Sequence, residues 1–392
     1  MLPLAFGLSS RPGSTGFAAA AGIVGAAGVL GWYGLHSMAR AREVSGVSGS
    51  SLREVHAGLG LPFAWVSTLA PLLLTAGCCL FYSAFVGDIY HSLLSPFSLP
   101  RPFVLSLFSS LVLLPLCLLP DLSSLFYSSL VGLAGVLYTA LFSLARALDG
   151  SYNPGGPRFA LMEALDRPDL LSAPLPKTPL FRVSGGTLVL VNMACVAFAC
   201  HYNGVKYYAE LKDRTVRKFS FTMSLSFLSV YAVFLSMMFS GASSFGSAAQ
   251  PLLLNNYHPS LDRGASAARA LTGVAILSGY PLMFAGLKEA LFDLLGIRDK
   301  GWHPKAAASV LSLALITTLA CFVTEHDLGP ILGVVGAVFG SAVVYVIPAV
   351  WNVRCADSMP LFRGEREFNY LLGAAGVALA VMGTWVTLKE AH

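Results

Sequence analysis

Charge is what this sequence has least of. Only 11% of its 392 residues are Asp, Glu, Lys or Arg, against 55% hydrophobic, and the mean hydropathy is +0.69. A soluble domain could not cover its surface with so few charges, so the composition identifies an integral membrane protein. The marks of soluble catalysis are also missing: no phosphate loop, no nucleotide glycine fingerprint and no His-x-x-x-His occurs. Cys200 stands beside His201, but neighbours on a helix point in different directions, so a Cys-His nucleophile is not expected and neither is an enzyme. Six of the seven cysteines, Cys78, Cys79, Cys117, Cys195, Cys200 and Cys321, fall in apolar stretches. None of these, nor Cys355, has metal-ligand spacing or a partner for an exposed disulfide, so no metal site is expected.

What the sequence has instead is long runs without charge. Ten stretches reach the roughly 18–20 residues that a helix needs to span a bilayer core: 12–39, 55–87, 102–120, 122–145, 183–205, 219–261, 270–287, 306–324, 328–353 and 368–388. They predict ten full transmembrane helices plus a short apolar stub at 1–8. Asp88, Asp121 and Asp327 fall at the expected helix ends, where solvated caps are the expectation. Ser51-Leu52-Arg53-Glu54 predicts an N-capped interfacial turn before the second full helix.

The connections 40–54, 206–218, 288–305 and 354–367 alternate on one side of the membrane and carry fifteen of the 25 Lys and Arg. That bias assigns them to the cytoplasm by the positive-inside rule. The proline-rich connection 146–182 then lies on the opposite side, and it carries no Asn-x-Ser/Thr sequon. Basic residues cluster only at helix ends, so nucleic acid is excluded as a partner and the lipid bilayer is the expected surroundings. No cleavable signal peptide or retention motif distinguishes the plasma membrane from a vacuolar or lysosomal one, and no motif specifies an oligomeric state.

One span is unusually polar. Between 183 and 218 the chain reads Phe198-Ala199-Cys200-His201-Tyr202-Asn203-Gly204 and then Lys206-Tyr207-Tyr208-Ala209-Glu210-Leu211-Lys212. An imidazole and an amide at membrane depth are costly unless they find partners or face a cavity, which marks the segment as a functional site. A proline, Pro281, also stands inside an apolar span, after Ser278-Gly279-Tyr280. It frees a backbone carbonyl for a neighbour or a cavity.

These motifs resemble the amino acid/auxin permease family of secondary transporters. The resemblance rests on Phe198-x-x-Cys200-His201-x-Asn203 with Tyr208-Ala209-Glu210-Leu211. Three further stretches extend it: Ser51–Glu54 with Gly87-Asp88-Ile89, Gly279-Tyr280-Pro281 with 288–296, and 333–341 with Ile347-Pro348-Ala349. It implies an all-α, leucine-transporter-like inverted repeat, with 1–145 as the first repeat, 146–182 as a non-cytoplasmic loop, 183–353 as the second repeat and 354–392 as an additional C-terminal helix. Helices one and six are broken at mid-membrane in that architecture, and the substrate lies between half-helix ends.

On this resemblance an amino acid substrate would meet Ala197, Phe198, Cys200, His201, Asn203, Ser278 and Gly279, with Tyr82 and Pro281 gating the site. His201 either lines the site or braces the break from behind. Sodium-coupled members offer a hydroxyl two residues before the proline, where this chain has Gly279. Ser278 is the nearest substitute, and the expectation moves from sodium toward proton-coupled or facilitated movement, with no bound cofactor. The absence of a mid-membrane acid favours neutral amino acids. Met1–Phe6 matches only the outer half of the family's first helix, so the expectation is a sequence incomplete at its start. The alternative is a membrane sensor or interaction protein that keeps the fold without transporting.

Overall fold

The computed structural model describes residues 16–119, 123–153, 156–159, 186–246, 249–250, 253–258, 261–323, 325–356, 358 and 361–391. The stub at 1–8, Asp121 and most of the connection 146–182 lie outside the described residues. Among those described the regular structure is all helical: α1 Phe17–Ser45, α2 Leu52–Gly58, α3 Val66–Leu93, α4 Arg101–Cys117, α5 Ser123–Leu148, α6 Gly186–Ala197, α7 Gly204–Glu210, α8 Val216–Phe245, α9 Arg263–Leu295 and α10 Trp302–Phe322 follow one another. Next, α11 begins at Glu325 and runs through π-helical segments Gly336–Gly340 and Ala342–Val346 to Cys355, and α12 spans Glu365–Ala391. Eight of these, all but α2, α4, α6 and α7, are long and apolar enough to cross a membrane.

Several helices outrun the charge-free stretches because their terminal charges are partnered rather than solvated. Arg40 and Arg42, expected at the exit of the first span, are buried inside α1, which continues to Ser45. There Gly46 caps the helix at φ 65, the left-handed conformation that glycine adopts without strain. Asp88 is not a solvated cap either. It lies within α3 and accepts a 2.5 Å hydrogen bond from Arg101 of α4, whose other nitrogens reach the carbonyls of Ala84 and Ala320. That arrangement ties α3, α4 and α10 together at one end. Asp327, expected at a helix end, falls in the first turn of α11.

The interfacial turn at 51–54 is α2, opened by Ser51 and Glu54 in a reciprocal capping box. His56 fastens it down. Its Nε2 donates to the Pro62 carbonyl at 2.9 Å, so Nδ1 is the acceptor for Ser67 at 2.7 Å and for the Trp351 indole at 3.1 Å.

The long helices pack in two connected groups. α9 lies along both α3 and α5, while α8 lies against α1 and α5, and α11 bridges α1 to α12. Where lipid removes the hydrophobic drive, close backbone approach supplies much of the packing energy. Gly34 shows it: a Cβ there would stand 2.7 Å from the Val344 carbonyl and 2.8 Å from His201 Nε2. On the side of the 146–182 connection, Tyr152, Phe245, Leu253, Leu254 and Tyr257 form a separate apolar cap over the ends of α5, α8 and α9. The cap is pinned by Asp262, which accepts from Arg146 at 3.0 Å and Tyr152 at 3.1 Å and pairs with Arg158 at 3.4 Å.

Candidate functional site

α6 stops at Ala197, and the chain does not regain α-helical form until Gly204. Phe198–Cys200 is irregular and His201–Asn203 makes one 3₁₀ turn. Backbone that leaves the helix inside an apolar region must be satisfied by protein or face a cavity. His201 is fully buried. Its Nε2 donates to the Gly31 carbonyl of α1 at 2.8 Å, which fixes the proton on Nε2, and Nδ1 has no partner. Asn203 donates from Nδ2 to the Leu282 carbonyl of α9 at 2.8 Å. The two polar side chains thus pin the interruption between α1 and α9. The Phe198 ring turns away from α9, stacking on Phe227 and meeting Phe234 edge-on, both on α8.

Cys200, Tyr202, Tyr207 and Tyr82 behave differently. Each keeps part of its surface open. Tyr202 lies within electrostatic reach of the other three. On the facing stripe of α9, Leu282 holds Asn203, Gly286 presses on Tyr202, and a Cβ at Gly279 would meet nothing within 4 Å. The interruption, α3 and α9 thus bring a thiol, phenol rings and glycine backbone to one place. Tyr202 and Tyr207 were not among the expected site residues. Their aromatic character alone did not show which way they face, although both sit within the motif that singled out this segment.

The remaining expected residues are placed as follows. Ala197 is exposed at the end of α6. Ser278 is buried with its Cβ 2.9 Å from where a side chain on Gly132 of α5 would begin, so it is packed against α5. Pro281 is buried within an uninterrupted α9.

Toward the basic end lies a small polar pocket bounded by Ser51, Ser67, Tyr202, Asn203, Lys206 and Asp293. Below it lies an ionic network. Lys206 pairs with Glu289 at 3.0 Å, and Arg298 pairs with Glu289, with Asp293 at 2.8 Å and with Glu54 at 3.5 Å. Ser51 donates to Asp293. Burial alone would lower the Arg298 guanidinium, but its three carboxylates outweigh that and raise it, so it stays charged. α7, α2 and α9 are thereby cross-linked beneath the interruption, closing it on that side. A wider cleft lies between α1 and α8, lined by Gly25, Gly28, Trp32, Phe227 and Tyr231. It is apolar, and its polar atoms are already engaged, Trp32 with the Ser220 carbonyl and Tyr231 with that of Ala21. It offers nothing to a zwitterion.

The profile of a protein family described as transmembrane amino acid transporter protein matches residues 12–389. Among curated proteins, the chain is similar to sodium-coupled neutral amino acid transporter 7 of Mus musculus, 23% identical over 337 residues, covering 80% of this chain and 67% of that one. The Homo sapiens protein of the same name is 22% identical over 336 residues, with 80% and 67% covered. Solute carrier family 38 member 8 of Mus musculus is 25% identical over 304 residues, with 74% and 65% covered. A profile match across nearly the whole chain, on an all-helical membrane fold, places this protein in the transmembrane amino acid transporter family.

Proposed function

We propose that this protein moves neutral amino acids across a membrane by alternating access around the space beside Cys200. The observation that carries the reading is the pinned interruption at 198–203, with partly open Cys200, Tyr202 and Tyr207 on it and an ionic seal on one end. A zwitterion fits such a place. Backbone carbonyls at the interruption suit an ammonium group, and phenol hydroxyls can serve a carboxylate. The described acids nearest the space, Glu289 and Asp293, are engaged in the seal, which leaves no acid to select a cationic side chain.

The span count is consistent with this reading. The eight long helices, α4 and the α6–α7 pair add up to ten crossings, with 1–145 and 183–353 as inverted repeats and 354–392 as an added helix. Rocking one repeat against the other would break and remake the Arg298–Glu54 and Ser51–Asp293 contacts, which join the two.

Sodium coupling appears in the names of the first two of these relatives. In this chain the position two before Pro281 is glycine beside open space, and Ser278 is packed against α5, which supports proton-coupled or facilitated movement instead. The test is uptake of labelled neutral amino acids into proteoliposomes carrying the full-length protein, under a proton gradient without sodium and the reverse. Uptake is expected without sodium. Absence of flux under every gradient contradicts transport, and flux that requires sodium contradicts the coupling.

A further inference from the structure

At the basic end of the molecule, α11 and α12 diverge to leave a cleft of about 290 Å³. One wall is a face of α11, Ala349, Val350, Val353 and Arg354. The other is a face of α12, Arg366, Asn369, Tyr370 and Gly373, and Leu61 from the segment after α2 closes one side. The floor is apolar, the two charged lining residues are both arginine, and no acid lines the cleft. Of the two carboxylates that flank Arg366 in sequence, Glu365 is turned inward and paired with buried Arg40, and Glu367 is exposed outside the lining.

The depth of the cleft is marked by exposed aromatic side chains at the same end, Phe63, Trp65, Phe362 and Tyr370. Aromatic residues of this kind sit at the headgroup level of a bilayer. Arg354, Arg366 and Tyr370 are themselves exposed, and Val350 beside them is 41% exposed, so the cleft opens sideways to lipid as well as to water. A basic rim above an apolar floor, open to the bilayer at headgroup depth, complements one kind of molecule.

We infer that this cleft is a binding site for an anionic phospholipid of the inner leaflet, its phosphate between Arg354 and Arg366 and its acyl chain along Val350 and Gly373. The two arginines supply charge, and each basic residue near a membrane surface adds about a factor of five in affinity for anionic lipid. The site also reaches the interior. Asn369 lines the cleft and donates at 2.7 Å to Tyr33 of α1, which in turn donates to Glu365 at 3.0 Å. A lipid held there bears on the contact that joins α12 to α1.

The test is native mass spectrometry of the full-length protein released from vesicles of phosphatidylcholine with one-fifth phosphatidylglycerol. Wild type is expected to retain phosphatidylglycerol over phosphatidylcholine by tenfold or more. The Arg354→Gln/Arg366→Gln variant is expected to fall to the phosphatidylcholine level, and Gly373→Leu, which fills the apolar floor without altering charge, to lose the lipid as well. A melting temperature matched to wild type in pure phosphatidylcholine shows that each variant is folded. Equal retention by wild type and the double arginine variant overturns the proposal. So does displacement of the lipid by inorganic phosphate at 100 mM, which would mark a site for the free anion.

Discussion

His201 shows how much a single side chain supports at this interruption. It is fully buried, gives its Nε2 proton to Gly31, and lies against the backbone of Gly34. The role is that of a brace, and its test is a pair of substitutions. His201→Ala removes a buried hydrogen bond and leaves a void behind it, and is expected to cost about 2–4 kcal/mol, read as a lower melting temperature in detergent. His201→Gln keeps a donor of similar reach and should recover part of that loss; equal loss in both variants would deny the hydrogen bond its role. Two glycines provide a second comparison. Gly34→Ala puts a methyl group into the Val344 carbonyl and is expected to abolish folded protein, whereas Gly279→Ala meets open space and is expected to fold normally. Size-exclusion profiles after expression distinguish them, and a well-folded Gly34→Ala protein would contradict the close approach of α1 and α11.

Among the elements, α12 is held by the most completely buried ion pair among the described residues. Arg40 and Glu365 are ion-paired with side chains only 3% and 2% exposed, and Tyr33, Asn352 and Asn369 complete the cluster. Removing one partner of such a pair strands a charge. Glu365→Gln is therefore expected to cost about 3–5 kcal/mol, while Arg40→Met/Glu365→Leu should cost clearly less than the sum of its single changes. A double-mutant cycle on melting temperatures decides it, and additive losses would mean that the pair does not act as a unit.

This cluster also explains what the sequence showed and what it concealed. Charge-free runs located the eight long apolar helices because bilayer depth excludes unpaired charge. The same rule misplaced the ends of α1, α3 and α12, because Arg40, Asp88 and Glu365 are paired inside the protein rather than solvated. The polar motif at 198–203 marked the interruption. The orientations of Tyr202, Tyr207 and Phe198 were not legible, since they depend on how α3, α8 and α9 pack around it.

Across the whole molecule the two ends are closed by different chemistry. On the side of the 146–182 connection, burial pushes the Asp262 carboxyl up, but hydrogen bonds from Arg146 and Tyr152 and the charges of Arg146 and Arg158 outweigh it and hold the group below the ordinary carboxylate range. A carboxyl depressed in this way contributes stability above its unfolded value, 3.8, and loses it as the pH falls through the lower folded value. Amide exchange in 253–258 is expected to stay slow from pH 7 to about pH 4 and to speed up only in stronger acid. In Asp262→Asn it should be fast throughout, and exchange already accelerating at pH 6 would contradict the pairing. On the basic side the ionic network of Lys206, Glu289 and Arg298 closes the space, so the site should be reached from one side at a time.

The central claim is that an amino acid occupies the space beside Cys200, and thiol chemistry tests it most directly. Five of the seven cysteines are buried, and only Cys200 and Cys321 keep open surface. In a Cys321→Ser protein the rate of modification by a small methanethiosulfonate reagent therefore reports Cys200. A neutral amino acid is expected to slow that rate severalfold and saturably, with a cationic one having little effect; a rate indifferent to every amino acid would place the substrate elsewhere.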